Sequence, residues 1–525
     1  MTHLYRSLVL GCSVLALAAC GPEEIASPGT GGNINIDIQN PAPAPAPAPT
    51  PTPTPTGVQP AAGCPQIADD QGLIDQGTIT GATGTYLVCA LPNRFNESST
   101  LPYVEGVLYR MAGRVDVGTD GGPTASAADT NVVLTIDPGV IIYSSGEAFL
   151  NVNRGNQIQA VGTAERPIIF TSRENVLGEN TDTSSGQWGG LVLSGRAPVT
   201  DCAASGATPG TVNCERGVEG SATPANYGGA TANDSSGRVS YVQLRFSGFA
   251  LTGGSELQSL TTGGTGSNTQ FDHIQSFNSS DDGVEFFGGT VNMKNLIIVG
   301  AEDDSIDSDT GVKANLQYVV VVQNNNVHDT IIEADSNSLR DQVPRQNTQI
   351  ANFLFIQQGA AADGGDAAVY LRGGTDYALV NGIIISPDEA CIRVRHSETI
   401  RATDAALDDV GPPVFHSVVA QCGSPAFIGT DGPLEAEVQA LFTADANNSF
   451  TYTPTLTNLI VPGANETAVV AFDPGTLSSF FDTTTFIGAV SGAEDSWYTG
   501  WTCNSATISF GEDNTGACTS LPVYD

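Results

Sequence analysis

The sequence has few positively charged residues: 19 lysines and arginines stand against 56 aspartates and glutamates, which gives a formal net charge of −37 over 525 residues. A surface of that sign repels the phosphates of nucleic acids and the headgroups of anionic lipids. Nucleic acids are therefore excluded as partners. The acidic residues are spread along the chain and do not form a tail, a distribution typical of solubility outside the cell or of divalent-cation binding.

Long hydrophobic runs are also scarce, and the longest mostly apolar stretch, residues 8–19, is shorter than the ~20 residues that a membrane-spanning helix needs. It follows Arg6 and ends in Leu17-Ala18-Ala19-Cys20, so residues 1–19 are predicted to be a signal peptide. The last four residues resemble the lipobox of bacterial lipoproteins. That resemblance implies cleavage before Cys20, acylation of Cys20 and, with Gly21 next, anchoring in outer-membrane lipid. An ordinary signal peptide is the alternative.

Residues 41–56 consist of Pro-Ala and then Pro-Thr repeats. This composition favours polyproline II, which rises about 3.1 Å per residue, so the segment reaches on the order of 50 Å. We therefore predict a disordered, proline-rich tether over residues 20–63. This tether would hold a folded body clear of the outer membrane. We expect the body to be exposed on the cell surface or released from the cell, and a location on the periplasmic side of the membrane is the alternative.

No CxxC pair and no Cys/His spacing suggests a zinc site. The eight cysteines that follow Cys20 fall into four local couples, and an exported chain favours disulfides. The predicted pairs are Cys64–Cys89, Cys202–Cys214, Cys391–Cys422 and Cys503–Cys518.

Helical periodicity is missing from nearly all of the body, which instead contains short apolar strands separated by glycine-rich turns; the whole chain has 60 glycines. Ile274, Leu296 and Tyr318 recur 22 residues apart within similar strands. This pattern predicts an all-β fold, a right-handed parallel β-helix with coils of about 22 residues. The expected divisions are an N-terminal cap over 64–130, the β-helix over 131–430 and a C-terminal cap over 431–525, both caps stapled by disulfides, with one short helix at 433–442.

Paired carboxylates occur twice at the same interval, as Asp281-Asp282 and Asp303-Asp304. The coil length predicts that they occupy one position in neighbouring coils. Calcium is the candidate cation, because it prefers clustered carboxylate oxygens. The candidate ligands are Asp281, Asp282, Glu285, Asp303, Asp304, Asp307 and Asp309. Alternatively, these side chains accept hydrogen bonds from the turn backbone and bind nothing.

Several phrases resemble a family of bacterial exported β-helix proteins, many of them lipoproteins. They include Ile136-Asp137-Pro138-Gly139-Val140, Gly186 to Val192, Asp282 to Val291 and Gly500-Trp501-Thr502, and the likeness covers roughly residues 105–505. The resemblance implies the fold and a surface location.

A more distant resemblance, to polygalacturonase-type glycoside hydrolases of the pectin-lyase-like fold, rests on the order of acidic, histidine and basic residues. It implies a catalytic set of Asp282, Asp303, Asp304, His328 and Arg393. His328 departs from the hydrolase pattern because it lacks flanking glycines, and Arg393 lies far along the chain.

Three aromatic residues, Trp188, Tyr227 and Phe287, are candidates for stacking on sugar rings, and packing in the core or a cap is the alternative. The sequence favours a non-enzymatic binding or accessory module for an extracellular polymer or an outer-membrane protein. A polysaccharide hydrolase or lyase is the first alternative, and a passive surface or adhesin-like component is the second.

Overall fold

The computed structural model describes residues 57–221, 223–251, 255–325, 327–361 and 367–524. The predicted signal peptide, Cys20 and the proline-rich repeats lie outside the described residues. The last residues of the predicted tether are described, and they belong to the folded body. Val58 is buried, its backbone N–H donates to the Thr83 carbonyl oxygen, and its own carbonyl oxygen accepts the Thr85 N–H. The folded body therefore begins before residue 64, the boundary that the sequence predicts.

The described residues form 28 short strands and three α-helices. In chain order the strands are β1 (Ile74–Gly81), β2 (Gly84–Ala90), β3 (Arg94–Phe95), β4 (Ser99–Leu101), β5 (Val107–Arg110), β6 (Val115–Val117), β7 (Val133–Ile136), β8 (Ile141–Ser144), β9 (Leu150–Val152), β10 (Gln157–Val161), β11 (Ile168–Ser172), β12 (Leu191–Ser194), β13 (Arg216–Gly217), β14 (Asn226–Tyr227), β15 (Gly237–Arg245), β16 (Leu260–Gly263), β17 (Gln270–Phe277), β18 (Val284–Phe287), β19 (Thr290–Val299), β20 (Ile306–Asp309), β21 (Lys313–Val322), β22 (Ile332–Ala334), β23 (Asn347–Ile356), β24 (Ala367–Leu371), β25 (Asp376–Ser386), β26 (Ala390–Arg395), β27 (Val414–Cys422) and β28 (Phe427–Thr430). The helices are α1 (Arg173–Leu177), α2 (Glu435–Phe442) and α3 (Ala464–Thr467).

The strands stack in parallel as a right-handed β-helix with three sides, which confirms the predicted fold. Sheet 1 contains β4, β7, β10 and the first halves of seven long strands, β15, β17, β19, β21, β23, β25 and β27. Sheet 2 begins with the antiparallel hairpin β1–β2 and continues through β5, β8, β11 and the second halves of the same long strands. Sheet 3 contains β3, β6, β9, β12, β16, β18, β20, β22, β24, β26 and β28.

Each long strand bends at one residue that has a positive φ and no partner in the strand register. This bend column comprises Tyr241, His273, Asn295, Tyr318, Asn352, Asn381 and Ser417. The register corrects one detail of the predicted repeat. Leu296 pairs with Val319, and Tyr318 lies at the bend beside Asn295, because this coil is one residue longer than the one before it.

Inward side chains of all three sheets form one apolar core along the axis. At its end, α2 packs Phe442 against Phe415 and Phe427, with ring centroids 5.4 Å apart in both pairs. The helix was predicted, but Leu434 before it is exposed and does not belong to the buried face.

After α2 the chain does not remain at the end of the coil. Residues 450–524, the C-terminal strap, return along the outer face of sheet 2, where their apolar residues bury Ile297, Val320 and Leu354. Near its end Leu521 packs with Val58 beside the first coils. Of the region 431–525, only the beginning therefore acts as an end cap.

All four predicted disulfides are present, with Cα–Cα distances of 4.7 to 5.7 Å. Cys64–Cys89 links the first residues of the body to β2, and Cys503–Cys518 closes a loop of the strap. Cys202–Cys214 lies in the insertion between β12 and β15. No described helix is long and apolar enough to cross a membrane.

Candidate functional site: an acidic column on sheet 3

Three acidic side chains point outward from consecutive strands of sheet 3. Glu285 in β18 pairs with Asp307 in β20, which pairs with Glu333 in β22. In-register parallel strands lie about 4.8 Å apart, so the three carboxyl groups form a continuous column. Each follows an inward apolar residue of its strand, and this alternation turns the acid outward.

The repeated aspartates lie in the turns that lead into these strands, in neighbouring coils as the repeat predicts. Asp282 Oδ1 accepts the backbone N–H of Asp304 at 3.0 Å. One coil further on, Asp304 Oδ1 accepts from both the backbone N–H and the hydroxyl of Thr330, at 2.8 and 2.6 Å. Each aspartate therefore ties its own turn to the next coil, as the backbone-bonding interpretation predicts for these two residues.

Asp307 is different. Its Oδ1 is buried and accepts no backbone N–H or hydroxyl from the described residues, and its carboxyl group lies in hydrogen-bonding contact with that of Glu285. Two carboxylates can share such a contact only if a proton or a cation lies between them. The Glu285–Asp307 contact is therefore a position that a shared proton or a bound cation must occupy.

A cavity of about 560 Å³ opens over the column. It is lined by Glu219, Glu256, Gln258, Ser280, Asp281, Asp282, Glu285, Glu302, Asp303, Asp304, Asp307, Val327, His328 and Glu333. Six of the seven predicted calcium ligands are in this set. The seventh, Asp309, lines the neighbouring cavity and accepts the backbone N–H of Thr310 at 2.7 Å.

Carboxylate oxygens converge in three groups, within each of which all ligand atoms lie within 4.8 Å of one another. The groups are Asp281/Asp282/Asp303, Asp282/Glu285/Asp307 and Asp303/Asp304/Asp329. Oxygens that bind one calcium ion at 2.3–2.6 Å are at most about 5 Å apart, so each group matches the span of a calcium shell. The donor chemistry also fits, since every ligand atom is a hard oxygen.

Burial and mutual repulsion perturb the titration of these groups. Burial, reinforced by neighbouring carboxylates, raises the pKa values of Asp282, Glu285 and Asp307 well above the usual range. The same causes raise the pKa of Asp281 to about 7. A divalent cation would relieve this repulsion and displace the protons.

The hydrolase-like set is only partly brought together. Asp282, Asp303, Asp304 and His328 line the same cavity. His328 is buried, and its two ring nitrogens lie 3.0 Å from the Asp329 carbonyl oxygen and 3.3 Å from that of Gln358.

Arg393 lies elsewhere. It pairs with Tyr370, which in turn pairs with Glu333, so Arg393 is three coils beyond Asp307, and it stacks over the Tyr370 ring at 4.4 Å. Arg393 is not among the residues that line the acidic cavity.

The prediction that Trp188 stacks on a ligand is wrong. Its side chain is fully buried, stacks on Phe170 at 6.3 Å and donates its ring N–H to the Arg245 carbonyl oxygen at 2.8 Å. The inward direction of this residue in its coil overrides the preference of tryptophan for partly exposed positions.

Tyr227 and Phe287 line a second cavity of about 430 Å³ beside the acidic one. They stack on each other, with centroids 6.0 Å apart, and both are mostly buried beneath the insertion that carries Cys202–Cys214. Gly263 makes room for this arrangement, because a Cβ there would lie 2.5 Å from the Tyr227 ring.

Glu333, the third member of the column, is not among the residues predicted from the sequence. The signal was available, because Val284-Glu285, Ile306-Asp307 and Ile332-Glu333 share one pattern of an inward apolar residue followed by an outward acid.

The model of the family described as pectate-lyase like beta helix domain matches residues 123–502, more than half of the chain. The chain belongs to this family. Its matched region contains the whole acidic column. No curated protein and no solved structure shows significant similarity to this pectate-lyase-like β-helix protein.

Proposed function

We propose that the protein is a calcium-dependent, non-enzymatic binding module for an acidic extracellular polysaccharide. The observation that carries the proposal is the convergence of carboxylate oxygens of Asp282, Glu285 and Asp307 within 4.8 Å of one another, at the buried contact between Glu285 and Asp307. A cation bound there would neutralise the column and present an open coordination position to the carboxylate of a uronic acid residue. The family description points to a polysaccharide as the class of ligand.

The surface beside the column supports an anionic polymer. The outward residues of sheet 3 change from acidic to aromatic and then to basic in the coils that follow the column. Glu333 pairs with Tyr370 in the next strand, and Tyr370 pairs with Arg393 in the one after that. Arg372 contacts Glu333 at 2.6 Å and Asp335 at 3.4 Å. A polymer lying along the axis would therefore meet the cation first and guanidinium groups next.

Two observations favour binding over cleavage. The turn carboxylates Asp282 and Asp304 each have an oxygen engaged by the backbone of the next coil, and His328 has both ring nitrogens against carbonyl oxygens. Groups held in this way are poorly placed to exchange protons with a substrate.

The test uses the soluble body starting at Gly57 and its Asp307→Asn variant. We expect calcium binding by isothermal titration calorimetry, and calcium-dependent retardation in a gel that contains polygalacturonate. Asp307→Asn should weaken calcium binding at least about tenfold, since it removes one charge from the coordinating group. The matched control is Asp70→Asn, because Asp70 is an exposed acid outside the column.

Reducing ends and unsaturated uronate are scored in the same mixtures. Product formation that Asp304→Asn abolishes would replace the binding proposal with the polysaccharide-cleaving alternative. Calcium binding that Asp307→Asn leaves unchanged would show that the column is not the cation site.

The membrane anchor is a separate proposal. It rests on the Leu17-Ala18-Ala19-Cys20 phrase and the proline-rich repeats, and it would hold this binding surface clear of the outer-membrane lipid, on the cell surface or on the periplasmic face.

A further inference from the structure

A third cavity, lined largely by aromatic side chains, lies between the bend column and the C-terminal strap. It measures about 710 Å³, within the range of small-molecule sites. Its lining comprises Ala164, Glu165, Tyr241, His273, Ser496, Trp497, Thr499, Gly500, Trp501, Asp513, Asn514, Thr515, Gly516, Pro522, Val523 and Tyr524. None of these residues lines the acidic cavity on sheet 3.

Aromatic rings form much of this lining. Tyr241 stacks on His273 with ring centroids 4.1 Å apart, and the buried Trp501 packs edge-on against both rings at 6.1 and 5.5 Å. Tyr241, Trp497 and Tyr524 are each partly exposed. Rigid rings supported from behind offer apolar faces at little cost in conformational entropy.

The backbone at this place favours another residue type. Tyr241 occupies the bend column with a φ of +52°, a conformation that asparagine adopts more readily than a bulky residue does. Three later coils have asparagine at the same position, as Asn295, Asn352 and Asn381. An aromatic ring at Tyr241 is therefore not what the bend requires.

Polar groups surround the rings. His273 is held by Asp272, whose Oδ1 lies 2.8 Å from Nδ1, so the ring is fixed in orientation. Glu165 and Asp513 supply carboxylates, and Asn514 supplies an amide that is held in place by Gly511 and Gly516 and keeps a second N–H and a second lone pair for a ligand.

We propose that this cavity binds a neutral saccharide. A sugar ring has an apolar face that stacks on aromatic rings and hydroxyl groups that both donate and accept hydrogen bonds, and the cavity provides partners for both. Glu165 and Asp513 disfavour a uronic acid here. This ligand class goes beyond the proposed function, and the site uses no residue of the acidic column.

The experiment titrates the soluble body from Gly57 with neutral oligosaccharides of glucose, galactose, mannose and N-acetylglucosamine, and with oligogalacturonate for comparison. Binding is followed by the fluorescence of Trp497 and Trp501. Tyr241→Asn and, as a second variant, His273→Asn replace the stacked rings with the residue that the bend column uses elsewhere, so both variants retain a favourable backbone. Tyr318→Asn is the matched control, because Tyr318 is an aromatic residue of the same column that does not line the cavity.

We expect saturable binding of at least one neutral oligosaccharide, weakened at least about tenfold by Tyr241→Asn and unchanged by Tyr318→Asn. Asp307→Asn should leave this saccharide binding unchanged. The outcome here is therefore independent of whether the acidic column binds calcium. The proposal is overturned if none of the neutral oligosaccharides binds. It is equally overturned if folded Tyr241→Asn and His273→Asn, checked by circular dichroism, bind like the unaltered body.

Discussion

The side chain of Asp304 shows how one residue type performs two tasks in this fold. One oxygen accepts the N–H and hydroxyl of Thr330 in the next coil, while the carboxyl group also belongs to a cluster with Asp303 and Asp329. Asp307 Oδ1, by contrast, accepts no backbone N–H from the described residues. The two residues are only three positions apart, but Asp304 lies in the turn before β20 and Asp307 lies on the outward face of that strand.

The raised pKa values predict how stability depends on pH without calcium. Burial raises the pKa values of Asp281 and Asp309 to about 7, and that of Asp307 well above its usual value. These groups hold protons more tightly in the folded protein than in the unfolded chain, where aspartate titrates near pH 4. Their protonation therefore stabilises the fold fully below about pH 4, and this contribution is lost as the pH rises to about 7.

We compare the melting temperatures of the unaltered body and of its Asp307→Asn variant, both treated with chelator, between pH 4 and pH 7. The melting temperature of the unaltered body should fall relative to that of the variant as the pH rises, because asparagine cannot ionise at position 307. Calcium should restore the melting temperature at pH 7 and above and have little effect near pH 4. Differential scanning fluorimetry measures both. A difference between the two proteins that does not vary with pH would contradict the assignment of raised pKa values to this column.

At the residue scale, the period of 22 residues correctly places Asp281-Asp282 and Asp303-Asp304 in neighbouring coils, but it does not reach Glu333, which lies 26 residues after Asp307. It could not reveal which oxygens are already bonded, since that depends on the distance between coils. Trp188 was mispredicted for a related reason: exposure depends on which side of the coil wall a residue faces.

Among the elements, the C-terminal strap is attached by amide side chains. Gln275 in β17 donates to the Cys503 carbonyl oxygen at 3.1 Å and accepts its N–H at 2.8 Å. Gln317 binds Asp482, and Asn381 binds Phe472, in the same two-bond manner. An amide side chain carries one acceptor and a donor, as a peptide group does, so it continues the hydrogen bonding of an irregular segment that has no neighbouring strand.

Gln275→Leu should loosen the strap around Cys503. The change leaves the buried backbone N–H and C=O of Cys503 without partners. Each unpaired buried group lowers the free energy of unfolding by about 1–3 kcal/mol. We expect faster amide hydrogen exchange in residues 496–510, measured by mass spectrometry, with little change in sheet 3. Gln342→Leu is the control, because Gln342 is exposed. Equal exchange in the two variants would contradict the role assigned to Gln275.

The strands of the β-helix are largely predictable from the sequence, because each contains its own apolar run and is followed by a turn. The path of the C-terminal strap cannot be predicted in this way. Residues 450–524 have little regular periodicity, and their position on sheet 2 depends on outward apolar residues such as Ile297 and Val320, which in the sequence cannot be told from core residues.

For the whole molecule, the predicted anchor gives a direct test. Cys20→Ser in the full chain should abolish labelling by radioactive palmitate and move the protein from the membrane fraction to the soluble fraction, because stable attachment requires the acyl chains. Cys12→Ser lies before the predicted cleavage site and is the matched control. Retained labelling in Cys20→Ser would contradict lipidation at this residue.

The position of Leu521 beside Val58 has a consequence for how the protein reaches its final form. The first coils are synthesised early, yet the apolar cluster on their flank includes Leu521, a residue close to the carboxyl terminus. Packing of these coils is therefore completed only after nearly the whole chain has been made. Removal of the last few residues would take Leu521 out of this cluster.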